Sequence, residues 1–164
     1  MQLVQQTENW DCGAACLAMI TGKSLEEVKA DLSPRSEDFE FKGVYAMETL
    51  QYLYKENFVC TIYENPDMLD ISGDYRINIE NGFIHLLQKK DVLHHIDLGL
   101  DAIIVVPSLT TENVLHQIVI HKGIIFDPSP IKQYTWSQVQ EFLYGDRWED
   151  FTAAFLIKSR IETN

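Results

Sequence analysis

The stretch "QQTENWDCGAACLAMITG", Gln5 to Gly22, decides the fold. Asp11 is a residue type favoured at helix N-caps, and Gly22 one favoured just past a helix end. The pattern therefore predicts a helix over Cys12 to Thr21. Positions 12, 15, 16, 19 and 20 are Cys, Ala, Cys, Met and Ile, which make one apolar stripe. The other side, Gly13, Ala14, Leu17 and Ala18, is uncharged as well. A helix without a polar face is normally buried all round, so this one is predicted to run through the centre of the domain. A thiol at the mouth of such a helix calls for a reason.

Outward from that helix, "SLEEVKADL" opens with Ser24 and carries Glu27 three residues later, a capping box that starts a second helix. "PRSEDFEFKG" reads as an acidic, solvated loop. "VYAMETLQYLYKEN" reads as a third helix with Ala46, Leu50 and Leu53 on one face, and "FVCTIYE" as a strand from Phe58 to Tyr63. From Asn65 to Leu100 there is no clean period; "SGD" and "ENG" read as turns, with a short helix near Ile84 to Gln88. "AIIVVPSL" is a buried strand. "LHQIVIHKGIIFDPSP" is a hairpin turning at Lys122-Gly123, "TWSQVQEFLY" a capped helix, and "TAAFLIKS" a final strand. Helices first and strands after give an α+β fold with an antiparallel sheet, and 164 residues suit a single domain over 1–164.

Charge narrows the partners. The formal net charge is −12, which repels a phosphate backbone, and no basic stretch is interleaved with aromatic residues; nucleic acid is not an expected partner. The run "AIIVV" is far below the roughly 20 residues of a membrane span. The N-terminus lacks a charged segment followed by an apolar one, so no secretory signal is read. The three cysteines, Cys12, Cys16 and Cys60, cannot all pair, and free thiols in a reducing, cytoplasmic setting are the simpler reading. In "HHID", His94 to Asp97, adjacent histidines on a strand face opposite ways, so no metal site is expected; no cofactor is expected either.

The chemistry starts at Cys12. A thiolate in the first turn of a helix feels the positive end of the helix dipole. Gly13 removes side-chain bulk beside the sulfur and would let a substrate backbone approach. Asp11 opposes a second negative charge, so a basic partner is required, and cysteine peptidases supply a histidine. Of His85, His94, His95, His116 and His121, the best placed is His116. It precedes the apolar run "QIVI", and the returning strand ends in "IIFDPSP", which brings Asp127 beside it to orient the imidazole. His121, five residues on, faces the other side of the sheet. Cys16 lies one turn inside the apolar helix and reads as core packing. A glutamine amide upstream of Cys12 suits an oxyanion donor alongside the Cys12 N–H, and the residues alone barely separate Gln6 from Gln5.

"QTENWDCGAACLAMI" followed by "HQIVI", "IIFDPSP" and "YTWSQVQEF" resembles the bacteriocin-processing cysteine peptidases, papain-like domains that cut double-glycine leader peptides and are often fused to an ABC transporter. The resemblance runs from Gln6 to about Phe142. It implies Cys12 as nucleophile, His116 as base, Asp127 as its orienter, and Gln6 rather than Gln5 as oxyanion donor. It implies a peptide or protein substrate, and association with a separate transporter or target protein. Two other activities fit the same residues: deamidation or transglutamination on the same triad, and peptide binding without cleavage.

Overall fold

In the computed structural model, residues 1–32, 43–64, 84–86 and 88–161 are described. Helix α1 spans Cys12–Thr21 and is buried at every position but Ile20. It stops where Gly22 takes a left-handed conformation and its N–H donates to the Ala18 carbonyl at 2.9 Å. Around α1 pack α2 (Leu25–Leu32), α3 (Ala46–Lys55) and strand β4 (Leu115–His121), which is why it carries no polar face. The Ser24–Glu27 capping box starts α2 as expected, the Ser24 N–H donating to Glu27 Oε2 at 2.8 Å. Leu25, Val28 and Leu32 form its buried side. On α3 the inward residues are Thr49, Leu50, Tyr52 and Leu53, so Ala46 sits at the margin of the stripe.

One six-stranded sheet receives these helices, in the order β2-β1-β6-β3-β4-β5. Its strands are β1 (Phe58–Glu64), β2 (Ile84–Leu86), β3 (Ala102–Pro107), β4, β5 (Ile124–Phe126) and β6 (Ala153–Arg160). Every neighbouring pair is antiparallel except β1 with β2. The last strand, β6, lies between β1 and β3 and joins the front of the chain to its back half. The β4–β5 turn falls at Lys122 and Gly123, with φ of 51° and 74°, the left-handed pair that a two-residue hairpin turn needs. One face of the sheet meets α1–α3 through Ile103, Val105, Val119 and Phe155. The other meets α4 (Lys89–Asp97) and α5 (Trp136–Tyr144) through Ile104, Ile118, Ile120 and Leu156.

Two expectations for the middle of the chain are corrected. Residues 84–86 form strand β2, not a helix, paired parallel to β1. "HHID" lies at the end of helix α4, not on a strand. Val92, His95 and Ile96 share its buried side at helical spacing. His95 makes a 2.8 Å bond to the Asp101 carbonyl, while His94 is exposed. The acidic loop expected over Pro34–Lys42 and the turns expected at "SGD" and "ENG" lie outside the described residues. No described helix is long and apolar enough to cross a membrane.

Candidate active site

Cys12 is the first residue of α1, where the backbone N–H groups have no partner within the helix. Its side chain is buried but opens onto a cavity of about 790 Å³. His116 is the second residue of β4. Asp127 follows the last residue of β5, on the same face as His116 and diagonally across from it. The His116 Nε2–Asp127 Oδ1 distance is 2.8 Å. That bond leaves Nδ1 clear of the carboxylate, and the imidazole lies near enough to Cys12 for the thiol to raise its pKa.

Asp127 is fixed by its neighbours. Its Oδ1 also accepts the Ser129 N–H at 2.9 Å, and its Oδ2 accepts the N–H groups of Gln133 and Tyr134 at 3.1 and 3.0 Å. The Tyr134 ring stacks on the imidazole, with centroids 6.1 Å apart and planes 11° apart. Burial of the imidazole lowers its pKa, but the Asp127 hydrogen bond first, and then the influence of Cys12 and the Asp127 charge, outweigh it and lift His116 from 6.5 to about 9. Burial alone would raise Asp127; the bonds from His116, Ser129 and Tyr134 instead hold it below the usual carboxylate range. The pair therefore favours an imidazolium on an ionised carboxylate.

Gln6 reaches the same corner through its backbone, its N–H donating to the Pro128 carbonyl at 2.8 Å. Its side-chain amide donates to the Glu8 carbonyl at 3.0 Å, and its Oε1 is buried without a partner among the described residues. Gln5 instead lines a separate hollow with Leu3, Phe126 and Lys132. The cysteines are free. Burial first, and then the neighbouring Cys12 and Asp127, push the Cys16 thiol well above its ordinary value, in keeping with a core role. His121 pairs with Asp101 at 2.6 Å, away from Cys12.

Asp11 and Gly13 act differently from their sequence reading. The Asp11 carbonyl accepts the first helical bond, from Ala15, but its carboxylate does not cap α1. It turns back to accept from the N–H groups of Thr7 and Glu8 and from the Thr7 hydroxyl at 2.9 Å, and it pairs with Lys29 at 3.2 Å. The fully buried carboxylate thus ties down the loop between Gln6 and Cys12, and Lys29 offsets its charge. At Gly13, a Cβ would come within 2.9 Å of Val44 Cβ and 3.1 Å of Gln117 Nε2. Its missing side chain lets α1 seat against the protein itself.

Tyr134, Gln117 and Glu64 also belong to this region and were not singled out from the sequence. No short-range pattern marks them, because each is brought in by strand register or by the Asp127–Tyr134 turn. Among the described residues no group of three or more His, Cys, Asp or Glu side chains is gathered as a metal site.

A helix bearing the cysteine, packed on an antiparallel sheet bearing the histidine and the acid, is the arrangement of papain-like peptidase domains. Two solved structures of that class share the fold. The first is the peptidase domain of Streptococcus ComA, a bi-functional ABC transporter involved in quorum sensing. It matches with a TM-score of 0.53 and 17% identity, over 97% of this chain and 98% of that one. The second is a double-glycine motif protease from an AMS/PCAT transporter in complex with the leader peptide, with a TM-score of 0.51 and 16% identity, over 96% and 90% of the two chains. No sequence family and no curated protein matches the chain.

Proposed function

We propose that the protein is a papain-like cysteine peptidase over residues 1–164, hydrolysing a peptide or related amide bond, with a leader peptide or a protein conjugate as substrate. The observation that carries the reading is the His116 imidazole, hydrogen-bonded to Asp127 at 2.8 Å and near enough to Cys12, at the head of a buried helix, for that thiol to raise its pKa. The Cys12 thiolate attacks the scissile carbonyl, forming the C–S bond and moving the carbonyl π pair onto oxygen. The oxyanion is held by the Cys12 N–H and by the Gln6 amide, which gives up its bond to the Glu8 carbonyl. As the C–N bond breaks, the His116 imidazolium protonates the leaving amine. Water then attacks the thioester, gives its proton to His116, and the acid product leaves with the thiolate restored.

Free cysteines, one of them the nucleophile, suit a reducing cytoplasm. The likeness to domains that belong to transporters favours a peptide partner delivered by, or to, a separate protein. The test is substrate capture with Cys12→Ala, followed by mass analysis of the captured species after exposure to the active protein. Two fragments support hydrolysis. A gain of about one mass unit without cleavage would assign deamidation on the same residues, and capture with no chemistry would assign a binding domain.

A further inference from the structure

The cavity at Cys12 extends well beyond the thiol. Glu64 is paired in register with Ala153, Ala153 with Val105, and Val105 with Gln117. These four residues make one transverse row on the face of the sheet that meets α1, and all four line the cavity. Gln117 abuts Gly13, so the row begins beside Cys12 and ends at Glu64. Ala153 and Val105 between them form a small apolar floor.

The two ends of the row are acceptors. Gln117 is 8% exposed; its Nε2 donates to the Val44 carbonyl, and its Oε1 is buried without a partner among the described residues. Glu64 is also 8% exposed, and no described residue gives its carboxylate an ion pair or a hydrogen bond. Burial alone lifts it to about 6, since no cation stands by to offset its charge. A carboxylate kept nearly dry and unpaired beside a cavity carries a desolvation penalty that a cationic occupant would relieve. Cys12 lines this cavity and His116, the proton donor to the leaving amine, does not, which favours the acyl side of the substrate as its occupant.

Resting on the peptidase reading, we infer that Glu64 selects a lysine or arginine on the acyl side of the scissile bond, at the third residue from it. Three strand spacings put Glu64 about 14 Å from Gln117 across the sheet. Two extended residues span about 7 Å of that distance, and the four-carbon stem of a lysine spans the remainder. The ammonium meets the Glu64 carboxylate, while the first two residues pass over Val105 and Ala153 beside Gln117.

Peptide aldehydes test this without knowledge of the natural substrate. Each adds to Cys12 as a hemithioacetal: the thiolate forms the C–S bond, the carbonyl π pair moves to oxygen, and that oxygen takes up the proton held by His116. Occupancy is read as protection of Cys12 from alkylation at pH 7.5. The probes are acetyl-Lys-Gly-Gly-aldehyde, its norleucine counterpart of nearly equal length, and its glutamate counterpart. The expected order is lysine over norleucine by about tenfold or more, with glutamate weakest. In Glu64→Gln, checked for folding by its thermal melt, the lysine advantage disappears. Equal protection by the lysine and norleucine aldehydes in the wild type overturns the assignment of Glu64 and leaves the peptidase reading standing. A lysine advantage that persists in Glu64→Gln overturns the assignment as well. Failure of all three aldehydes to occupy Cys12 overturns both. The wild-type preference stands as a test even if the variant is unstable.

Discussion

Replacing Asp127 with asparagine probes the coupling on which the chemistry depends. The side chain keeps its volume and loses its charge. The carboxylate accepts from four donors: the His116 ring and the N–H groups of Ser129, Gln133 and Tyr134. An amide oxygen serves only the donors at its own end, and the NH₂ at the other end faces N–H groups with nothing to give them. Each orphaned donor costs about 1–3 kcal/mol of stability. The electrostatic effect is larger at the site. The ring stands raised from 6.5 to about 9, a gap of roughly 2.5 units or about 3 kcal/mol, against the downward pull of burial. The Asp127 bond is the largest of the raising influences, so in the variant the ring should titrate well below 9, held up by Cys12 alone against the pull of burial.

The sign follows from the direction of that shift. In the wild type the pair's contribution to stability is complete below pH 6.5 and is lost as the pH rises through about 9; the variant lacks this alkaline loss. NMR titration of the His116 ring gives the protonation midpoint directly, and urea unfolding at pH 6 and pH 10 gives the stability difference. Cleavage of a captured substrate should fall by about 10²–10⁴-fold. A variant whose ring still titrates near 9, or whose rate stays within about twofold of wild type, would refute the coupling of Asp127 to the proton on His116.

Gln6→Ala should lower the rate of substrate cleavage by about 10²–10³-fold while Gln5→Ala leaves it near wild type, read as kcat on the captured substrate; the reverse order would move the oxyanion donor to Gln5. Gly13→Ala gains helix propensity of about 1 kcal/mol but drives a methyl into Val44 and Gln117, at about 1–3 kcal/mol for an overpacked core. Its Tm should fall by a few degrees, whereas a rise would mean that α1 shifts freely.

Elements whose signals are local were legible in the sequence. The uncharged run of α1, the Ser24–Glu27 box and the Lys122-Gly123 turn each encode their structure within a few residues. The pairing of His116 with Asp127 could be anticipated because a tight hairpin fixes which residues of its two strands meet. What depends on distant pairing was not legible. Nothing in "TAAFLIKS" says that it lies between β1 and β3, and nothing near Ile84 says that three residues add a parallel edge strand. In α4 the helical spacing of Val92, His95 and Ile96 is present in the sequence, but three positions over a nine-residue element are too few to separate a helix from a strand. The position of Asp11 fits a cap; its recruitment by Lys29, 18 residues on, is a tertiary event that no local pattern encodes. Glu64 and Gln117 share a site only through register across four strands.

The most direct measurement is competitive alkylation of the native protein at pH 7 with limiting iodoacetamide, mapped by peptide mass. Burial pushes the Cys16 thiol far up and the Cys60 thiol to about 12, and neither sits beside an imidazole on a cavity. Modification is expected at Cys12 alone, slowed about tenfold or more by His116→Ala as the thiolate loses its ion-pair partner. Equal modification of the three cysteines, or a Cys12 rate indifferent to His116, would contradict it.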